Sequence, residues 1–527
     1  MSRGQDVARW VATGLPPGVI IFVTVSLALG ATVLVAVLSS THGAFTFSLD
    51  DPYVHLALAQ KLQAGHYGLN ASEYSSPSSS ILYPFALAAL IKVGMGGQWA
   101  ALALNLCATA VSAGLLAVLV GVADIPLSGK TIARLFIVAA ALLLGLNLIG
   151  LAFTGLEHAL HVADTLACLM GVVRLARTKT APHWLGLALV VSPLIRLEGL
   201  AIWAAGLVVL MLMGRRRMAL AVFAGGVLLV GGFCLYLRHL GLPWLPSSVL
   251  AKSPAAGVHG FRALVAVMTA ATARNFMSYG IQFGVILALL VLAAVRGDAK
   301  DRPVAIFAAL PVLAHLAIGP FGWFGRYEIY ALTLGWAAIM VLYGALIERW
   351  FNGGGLAFAA GIAVWLVVQS DYVVFALQTP EAAAEIHLQQ YQMHRFAVDV
   401  WKQPVAVNDI GWVAYDNQNY VLDLWGLASE TARVERLKDG NNPAWMDRLA
   451  QQHHAGLAMI YDAWFMRRPK DWIAVARLTL DRPDTLVASA RVVTFYATRP
   501  DQIPAVRKAV AEFAKTLPAG ATLSLVI

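Results

Sequence analysis

Long apolar runs, broken at short intervals by basic clusters, dominate the first 379 positions of the chain. Charge-free or nearly charge-free stretches fall near 17–40, 79–95, 98–121, 131–152, 157–173, 183–213, 218–238, 275–295, 303–323, 328–347 and 354–376. Roughly 20 apolar residues cross a bilayer as a helix, so the pattern predicts about 11–13 transmembrane helices. The stretch 183–213 is long enough for two short helices meeting at Pro193–Gly199. The basic clusters Lys130/Arg134, Arg174/Arg177/Lys179, Arg215–Arg217 and Arg296/Lys300/Arg302 mark cytoplasmic loops. That orientation puts Thr154–Glu157, Arg196–Glu198, the loop 239–274, Arg326 and the C-terminal region outside. An inner N-terminus and an outer C-terminus require an odd number of crossings, so one segment must dip in without crossing. The segment 79–95, which follows a Ser-rich loop and ends in Gly94-Met-Gly-Gly97, is the candidate. Arg3 and Arg9 precede the first run, which is too long for the apolar core of a signal peptide and reads as a retained first helix.

Two regions depart from this pattern. In the loop 41–78, Asp50–Gly65 reads as a helix lying on the membrane, with Pro52 at its first turn and Val54, Leu58 and Leu62 at four-residue spacing. From about 380 onward, short β-rich pieces (Val405–Val407, Tyr420–Leu424, Leu457–Tyr461, Arg491–Ala497) alternate with helical ones (Trp445–His453, Ile503–Lys515). The expected architecture is a polytopic α-helical membrane domain, 1–379, followed by a small extracytoplasmic α/β domain, 380–527.

Composition agrees and excludes other classes. Of 527 residues, 59% are apolar and 13% charged, and the mean hydropathy is +0.70. A soluble chain of this length needs more surface charge. Residues 1–379 carry 22 basic and 13 acidic side chains and residues 380–527 carry 16 of each. The net charge of +9 thus lies in the apolar part, as positively charged inner loops require, and is no signature of nucleic-acid binding. Cys107, Cys168 and Cys234 sit in apolar stretches without ligand spacing and read as small buried residues.

The strongest chemical signal is Phe47-Ser-Leu-Asp50-Asp51-Pro-Tyr-Val-His55. Asp51 before Pro52 would make a helix cap, but a cap explains one aspartate and not two, and carboxylates at a membrane surface are costly unless used. His55, one turn after Asp51, could orient it or help hold a divalent ion, or could be an exposed histidine on an interfacial helix. Glu157, His161 and Asp164 share one helical face, with His158 beside it. A metal site there is conceivable, as are sugar contact by Glu157 and a buried polar cluster.

The run Asp50–His66, followed by Tyr74-Ser-Ser-Pro77, resembles the first outer loop of GT-C membrane glycosyltransferases, which use polyprenyl-phosphate sugars as donors. Within that superfamily it is most similar to the terminal arabinofuranosyltransferase and protein O-mannosyltransferase-like group. Pro52 and the Leu-rich continuation of the helix depart from the pattern. Thr154-Gly-Leu-Glu157, Arg196-Leu-Glu198-Gly199, Leu245–Lys252 and Gly325-Arg326-Tyr327 follow in the expected order. Val405–Gly411 and Leu422–Leu427 resemble the soluble tail of such enzymes.

The resemblance implies transfer of one sugar to an acceptor hydroxyl on the outer face of a bacterial inner membrane, with inversion. Such chemistry needs a carboxylate base, for which Asp50 and Asp51 are the candidates. It also needs cations facing the departing phosphate, for which Lys252, Arg326 and Arg196 are the candidates, although for Arg196, two residues from Glu198 at a helix break, a structural ion pair is the favoured reading. Tyr53, His55, Glu157, Glu198 and Tyr327 are the candidate substrate-binding residues. Implied partners are the donor lipid, a glycan, lipid or protein acceptor, and membrane lipid, with no nucleic acid. No cofactor is required, although a divalent cation is compatible.

The rival reading is a transporter or flippase for the lipid-linked sugar. Charged groups near segment ends on one side and a folded tail favour an enzyme over a carrier, and a structural assembly subunit would not need the paired carboxylate. Two motifs are decoys. Ser128-Gly129-Lys130-Thr131 imitates a phosphate loop but has Asp124 where the first glycine belongs. The pairs His453/His454 and His387/His394 read as surface histidines.

Overall fold

The computed structural model describes residues 15–252, 258 and 260–526. Arg3 and Arg9 lie outside the described residues. Among the described residues, five helices are long and apolar enough to cross a membrane: Pro17–Ser40, Gly97–Val120, His158–Thr178, Arg216–His239 and Phe261–Arg296. Two bent pairs raise the number to seven if each counts as one span. They are Ile329–Leu342 with Gly344–Asn352, bent by 80°, and Gly355–Val368 with Ser370–Trp401, bent by 73°. Four shorter apolar helices accompany them: Tyr83–Lys92, His183–Ile195, Gly199–Leu212 and Arg302–Ile318. Length separates these groups: at about 1.5 Å per residue a helix such as Tyr83–Lys92 falls short of the hydrocarbon thickness.

The chain divides into two compact units. The first comprises the chain up to Val35 with Leu102–Gly232 and Val265–Gln378. Its helices pack closely where small residues face large ones: Gly171 lies against Leu185, Gly206 against Leu189 and Gly335 against Ile286, leaving no room for a Cβ. Pro193 ends the helix His183–Ile195, and the chain restarts at Gly199, so Arg196–Glu198 occupy a break as the sequence predicts.

The second unit comprises Ala36–Ala101, Phe233–Leu264 and the chain from Thr379. Its centre is a six-stranded sheet of β1 (Val405–Val407), β2 (Val421–Asp423), β3 (Leu457–Ile460), β4 (Ile473–Leu480), β5 (Val492–Ala497) and β6 (Ala521–Leu525), in the order β2-β1-β3-β5-β4-β6. The first three strands are parallel, Val405 pairing with both Val421 and Leu457; β5, β4 and β6 continue antiparallel. Strands β4 and β6 have no counterpart in the sequence expectation. In β4 the alternation is blurred by Ala474-Val-Ala476 and by a register shift there, so pairing with β5 and β6 defines it.

Residues of the first loop are built into this unit. The helix Asp51–Gln63 is buried from Pro52 to Ala59, around its whole circumference, unlike a helix lying on a surface. Val54, Ala57 and Leu58 join one hydrophobic core with Phe396, Val405, Ile410, Leu457 and Phe495. Asn70 adds polar registration: its side chain donates to the Val421 carbonyl at 3.0 Å and accepts from the Val421 N–H at 2.9 Å, extending the edge of β2.

A second anchor lies in the loop after β4. The Glu385 carboxylate is wholly buried, is 3.0 Å from Arg482, and accepts backbone N–H groups from Leu486 (2.8 Å), Val487 (2.9 Å) and Ala488 (2.5 Å). Glu385→Ala strands three amides, each costing about 1–3 kcal/mol when unpaired. A clearly lowered melting temperature of the purified protein is the expected result, and unchanged melting would refute this role.

Candidate functional site

The parallel part of the sheet prepares a site before any side chain is considered. Strand β1 lies between β2 and β3, so the chain leaves it to one side and returns on the other. In open sheets the crevice beyond the carboxyl ends of such strands is where ligands sit. Here those ends lead into Asn408-Asp-Ile-Gly411 after β1 and Tyr461-Asp-Ala-Trp464 after β3.

Asp50 and the β1 turn meet there. The carboxylate of Asp50, 361 residues from Gly411 in sequence, accepts the Gly411 N–H at 2.7 Å and the Trp412 N–H at 2.8 Å. Neither aspartate acts as the cap the sequence allowed: the helix begins at Asp51, and Asp50, which occupies the cap position, makes no capping bond with its side chain. Only glycine fits at 411, because a Cβ would overlap the backbone and carboxylate oxygens of Asp50. Asp409, two residues before Gly411, accepts from Gln390 Nε2 at 3.1 Å. Gln390 also donates to Tyr461 Oη at 2.8 Å, and Asn408 Oδ1 accepts the Tyr461 N–H at 2.9 Å. Burial raises the carboxyls of both Asp50 and Asp409, and their mutual repulsion adds to it for Asp50; Asp409 stands at about 6.

Asp51 faces differently. Its side chain is 33% exposed and lies 3.0 Å from Lys252 Nζ, itself 40% exposed. The two residues are 201 positions apart in the chain. Lys252 ends the short helix Ser247–Lys252, which is tied down at its start. The Ser247 N–H donates to Ser76 Oγ at 2.9 Å, the two hydroxyls are 3.1 Å apart, and Ser247 Oγ donates to Glu430 at 3.3 Å. The Ser-rich loop of the sequence analysis thus positions the lysine.

Tyr53 and His55 are buried, at 0% and 3% exposure. Tyr53 stacks on Trp412 with ring centroids 3.8 Å apart and accepts the Phe47 N–H at 3.0 Å. His55 Nδ1 is 3.1 Å from Ser78 Oγ. His55 is therefore not the exposed histidine that one reading allowed, because its helix is enclosed.

Arg196, Glu157, Glu198, Arg326 and Tyr327 belong to the first unit. Arg196 is clamped between carboxylates, at 2.5 Å from Glu157 and 2.7 Å from Glu198, with its Nε also donating to Glu198 at 3.2 Å. Its guanidinium lies 5.8 Å from the Tyr327 ring, and that of Arg326 lies 4.8 Å from the same ring. Arg326 Nη2 donates to the Tyr327 hydroxyl at 2.9 Å. His161 stacks on Tyr330 at 4.4 Å. Among the described residues no group of three or more His, Cys, Asp or Glu side chains is disposed to hold a metal ion.

The minor motifs also find their places. Ser128 caps the helix Gly129–Gly145 by accepting the Thr131 N–H at 3.2 Å. His387 and His394 are not surface histidines. His387 is buried, and His394 lies against Trp412, its Nδ1 2.9 Å from the Trp412 carbonyl. His453 stacks on Tyr420 at 4.1 Å. Asp409 and Gly411 were legible as Asn-Asp-x-Gly directly after a short apolar strand, a pattern that marks a strand's carboxyl end, but the site they complete is assembled from the other end of the chain.

A family model described as a domain of unknown function (DUF8728) matches residues 384–496, within the second unit. No curated protein matches the sequence. Among solved structures, the chain is similar to ArnT from Cupriavidus metallidurans in the apo state, at 13% identity and a TM-score of 0.47, over 90% of this chain and 98% of that one. It is similar to the Archaeoglobus fulgidus oligosaccharyltransferase in complex with Zn and sulfate, at 10% identity and a TM-score of 0.46, over 97% of this chain and 75% of that one. For the apo form of the latter the values are 11%, 0.46, 90% and 74%.

Proposed function

We propose that the protein is a membrane glycosyltransferase that moves one sugar from a polyprenyl-phosphate donor to an acceptor hydroxyl at the outer face of a bacterial inner membrane. The observation that carries this reading is the Asp51–Lys252 pair: a partly exposed carboxylate and a partly exposed ammonium at 3.0 Å, beside a buried aspartate bound to the β1 turn. The first-loop resemblance to GT-C enzymes supports the substrate class, and favours an arabinofuranosyl donor. Long apolar helices suit a donor whose tail stays in the bilayer.

The chemistry follows from the pair. With no donor present, Lys252 neutralises Asp51. A donor phosphate offers Lys252 a stronger partner, since negative charge builds on it as the bond to the anomeric carbon breaks. Drawn to that phosphate, Lys252 relaxes its hold on Asp51, whose basicity rises, and Asp51 takes the proton of the acceptor hydroxyl as its oxygen attacks from the opposite face. The sugar inverts, and the lipid phosphate departs as an anion held by the lysine.

The deciding experiment supplies the protein in lipid nanodiscs with radiolabelled polyprenyl-phosphate sugars, a pentofuranose and a hexose among them, and follows donor consumption. Cleavage is expected. Movement of intact donor across the bilayer without cleavage would instead establish a flippase. Lys252→Gln is expected to lower kcat/KM by about tenfold to a hundredfold with little change in melting temperature, because an ion pair this exposed contributes only about 0–1 kcal/mol to stability. Unaltered kcat/KM would remove the lysine from the mechanism.

A further inference from the structure

The carboxyl ends of β2 and β3, on either side of the turn after β1, each carry a tryptophan that neither the proton transfer nor the phosphate contact uses. Trp425 follows β2 and Trp464 follows β3, and their rings meet edge to face with centroids 4.7 Å apart. Both are partly buried, resting on the hydrophobic core beneath. An aspartate at the end of each strand holds each ring in place. The Asp423 carboxylate accepts the N–H groups of Trp425 at 2.9 Å and Ala428 at 2.7 Å. That of Asp462 accepts the hydroxyls of Thr494 at 2.9 Å and Tyr496 at 2.8 Å, which pins the turn bearing Trp464 to β5. Rings fixed in this way lose little freedom when a ligand lands on them.

The polar groups around the pair are only partly used. Arg436 lies over the Trp425 ring at 3.9 Å and its Nε donates to the Trp425 carbonyl at 2.9 Å. Its buried Nη2 has no partner among the described residues. Beyond Trp464 comes Tyr461, with ring centroids 5.8 Å apart. Tyr461 gives its N–H to Asn408 Oδ1 at 2.9 Å and takes Gln390 Nε2 on its hydroxyl at 2.8 Å. Asn408 and Gln390 are each 2% exposed, yet Asn408 Nδ2 and Gln390 Oε1 have no partner among the described residues. Buried polar atoms are nearly always paired. Two idle donors and one idle acceptor flanking one aromatic pair mark a place for a hydroxylated ligand.

We propose that this row of residues is the acceptor site and that the acceptor is a glycan. Its role as acceptor rests on the transferase reading; the carbohydrate site itself does not. A sugar ring has an apolar C–H face, whose slightly positive hydrogens suit the negative face of an indole, and a rim of hydroxyls that both donate and accept. A ring seated on Trp425 and Trp464 meets Arg436 past the first and the amides of Asn408 and Gln390 past the second.

The site is joined to the reacting groups. Glu430, Arg433 and Arg436 share one face of the helix Glu430–Asp439. Arg433 Nε donates to Glu430 at 2.9 Å, and Glu430 accepts from Ser247 Oγ at 3.3 Å. Ser247 begins the short helix that Lys252 ends, a rise of about 8 Å. The transferred sugar is placed by its phosphate at Lys252. A ring on the tryptophans, beyond the opposite end of that helix, therefore belongs to the acceptor.

The test uses the full protein in lipid nanodiscs and reads binding by saturation-transfer NMR. The probes are arabinotetraose, mannotetraose and chitotetraose, beside a hexapeptide containing Ser and Thr. At least one tetrasaccharide is expected to bind, and the peptide is not. Trp464→Leu, which fills the space without a ring, is expected to weaken that binding about tenfold, whereas Trp464→Phe should stay within about threefold of wild type. Arg436→Lys keeps the charge but not the forked donors, and is expected to weaken binding by about threefold to tenfold. It keeps the test decisive if the leucine variant does not fold. In donor assays Trp464→Leu should raise acceptor KM about tenfold and donor KM far less. Failure of every tetrasaccharide to bind wild type, binding of the peptide in their place, or wild-type affinity in both Arg436→Lys and a folded Trp464→Leu would overturn the proposal. If wild type cleaves no donor while tetrasaccharide binding depends on Trp464, the transferase reading fails and the glycan site stands. If donor is cleaved but Trp464→Leu leaves acceptor KM where it was, the glycan site fails and the transferase reading stands.

Discussion

Asp51→Asn is expected to abolish most turnover, by about 10²–10⁴-fold in kcat, while leaving the fold intact. The magnitude is that of losing a positioned general base. The fold is spared because Asp51 makes its ion pair at the surface, where 33% of its side chain is exposed, and asparagine occupies the same volume. Donor binding should survive, since the Lys252 ammonium, which would contact the phosphate, is unchanged by the substitution. Single-turnover donor cleavage, measured beside a donor-binding assay on the same preparation, separates the two. Wild-type cleavage by Asp51→Asn would eliminate the proposed mechanism. Asp50→Asn should behave differently: it places an amide against backbone N–H groups that require an acceptor, so lowered melting is expected to accompany any loss of turnover.

The second large effect concerns stability. Arg196 carries a 5% exposed side chain bound to Glu157, fully buried, and to Glu198. Removing the guanidinium in Arg196→Met leaves two carboxylates without their cation, an imbalance that costs about 3–5 kcal/mol when one partner of a buried pair is lost. Low yield of folded protein and a strongly reduced melting temperature are the expected results. Arg196→Lys should recover only part of the loss, because an ammonium cannot make the forked contact to Glu198 while also reaching Glu157. Should Arg196→Met melt like wild type yet lose donor affinity, Arg196 would be reassigned from holding the helix break together to holding donor phosphate.

How far the sequence could be read differs between elements for physical reasons. Strands β1, β2, β3 and β5 were visible as short, mostly apolar runs, because a strand buried on both faces needs an almost unbroken apolar string. Strand β4 was not, since its outward positions include Arg477 and its two alanines are neutral to periodicity. The helix after Asp50 was visible from Pro52 and the apolar spacing, but its environment was not. A stripe of Val54, Leu58 and Leu62 fits a membrane surface as well as a protein core, and only the packing of Phe396 and Ile410 against it decides between them. At the candidate site, Asp50, Asp51 and Lys252 could be singled out as costly charges beside apolar segments. What separated the two aspartates was Gly411, whose missing side chain lets the β1 turn close on Asp50 and leaves Asp51 facing outward.

By itself, the sequence determined the class of the molecule: helices long and apolar enough to cross a membrane, a charge-balanced α/β region after them, and two acidic residues following the first helix. These are local properties, set by hydrophobicity, periodicity and the cost of bare charge, and each can be read within a window of some twenty residues. The tertiary structure alone decided that Asp51 meets Lys252 and that Asp50 meets the backbone of Gly411 and Trp412. Contacts between positions 201 and more than 350 apart carry no local signature. They exist because core packing of the first-loop helix against the sheet brings those side chains within hydrogen-bond reach.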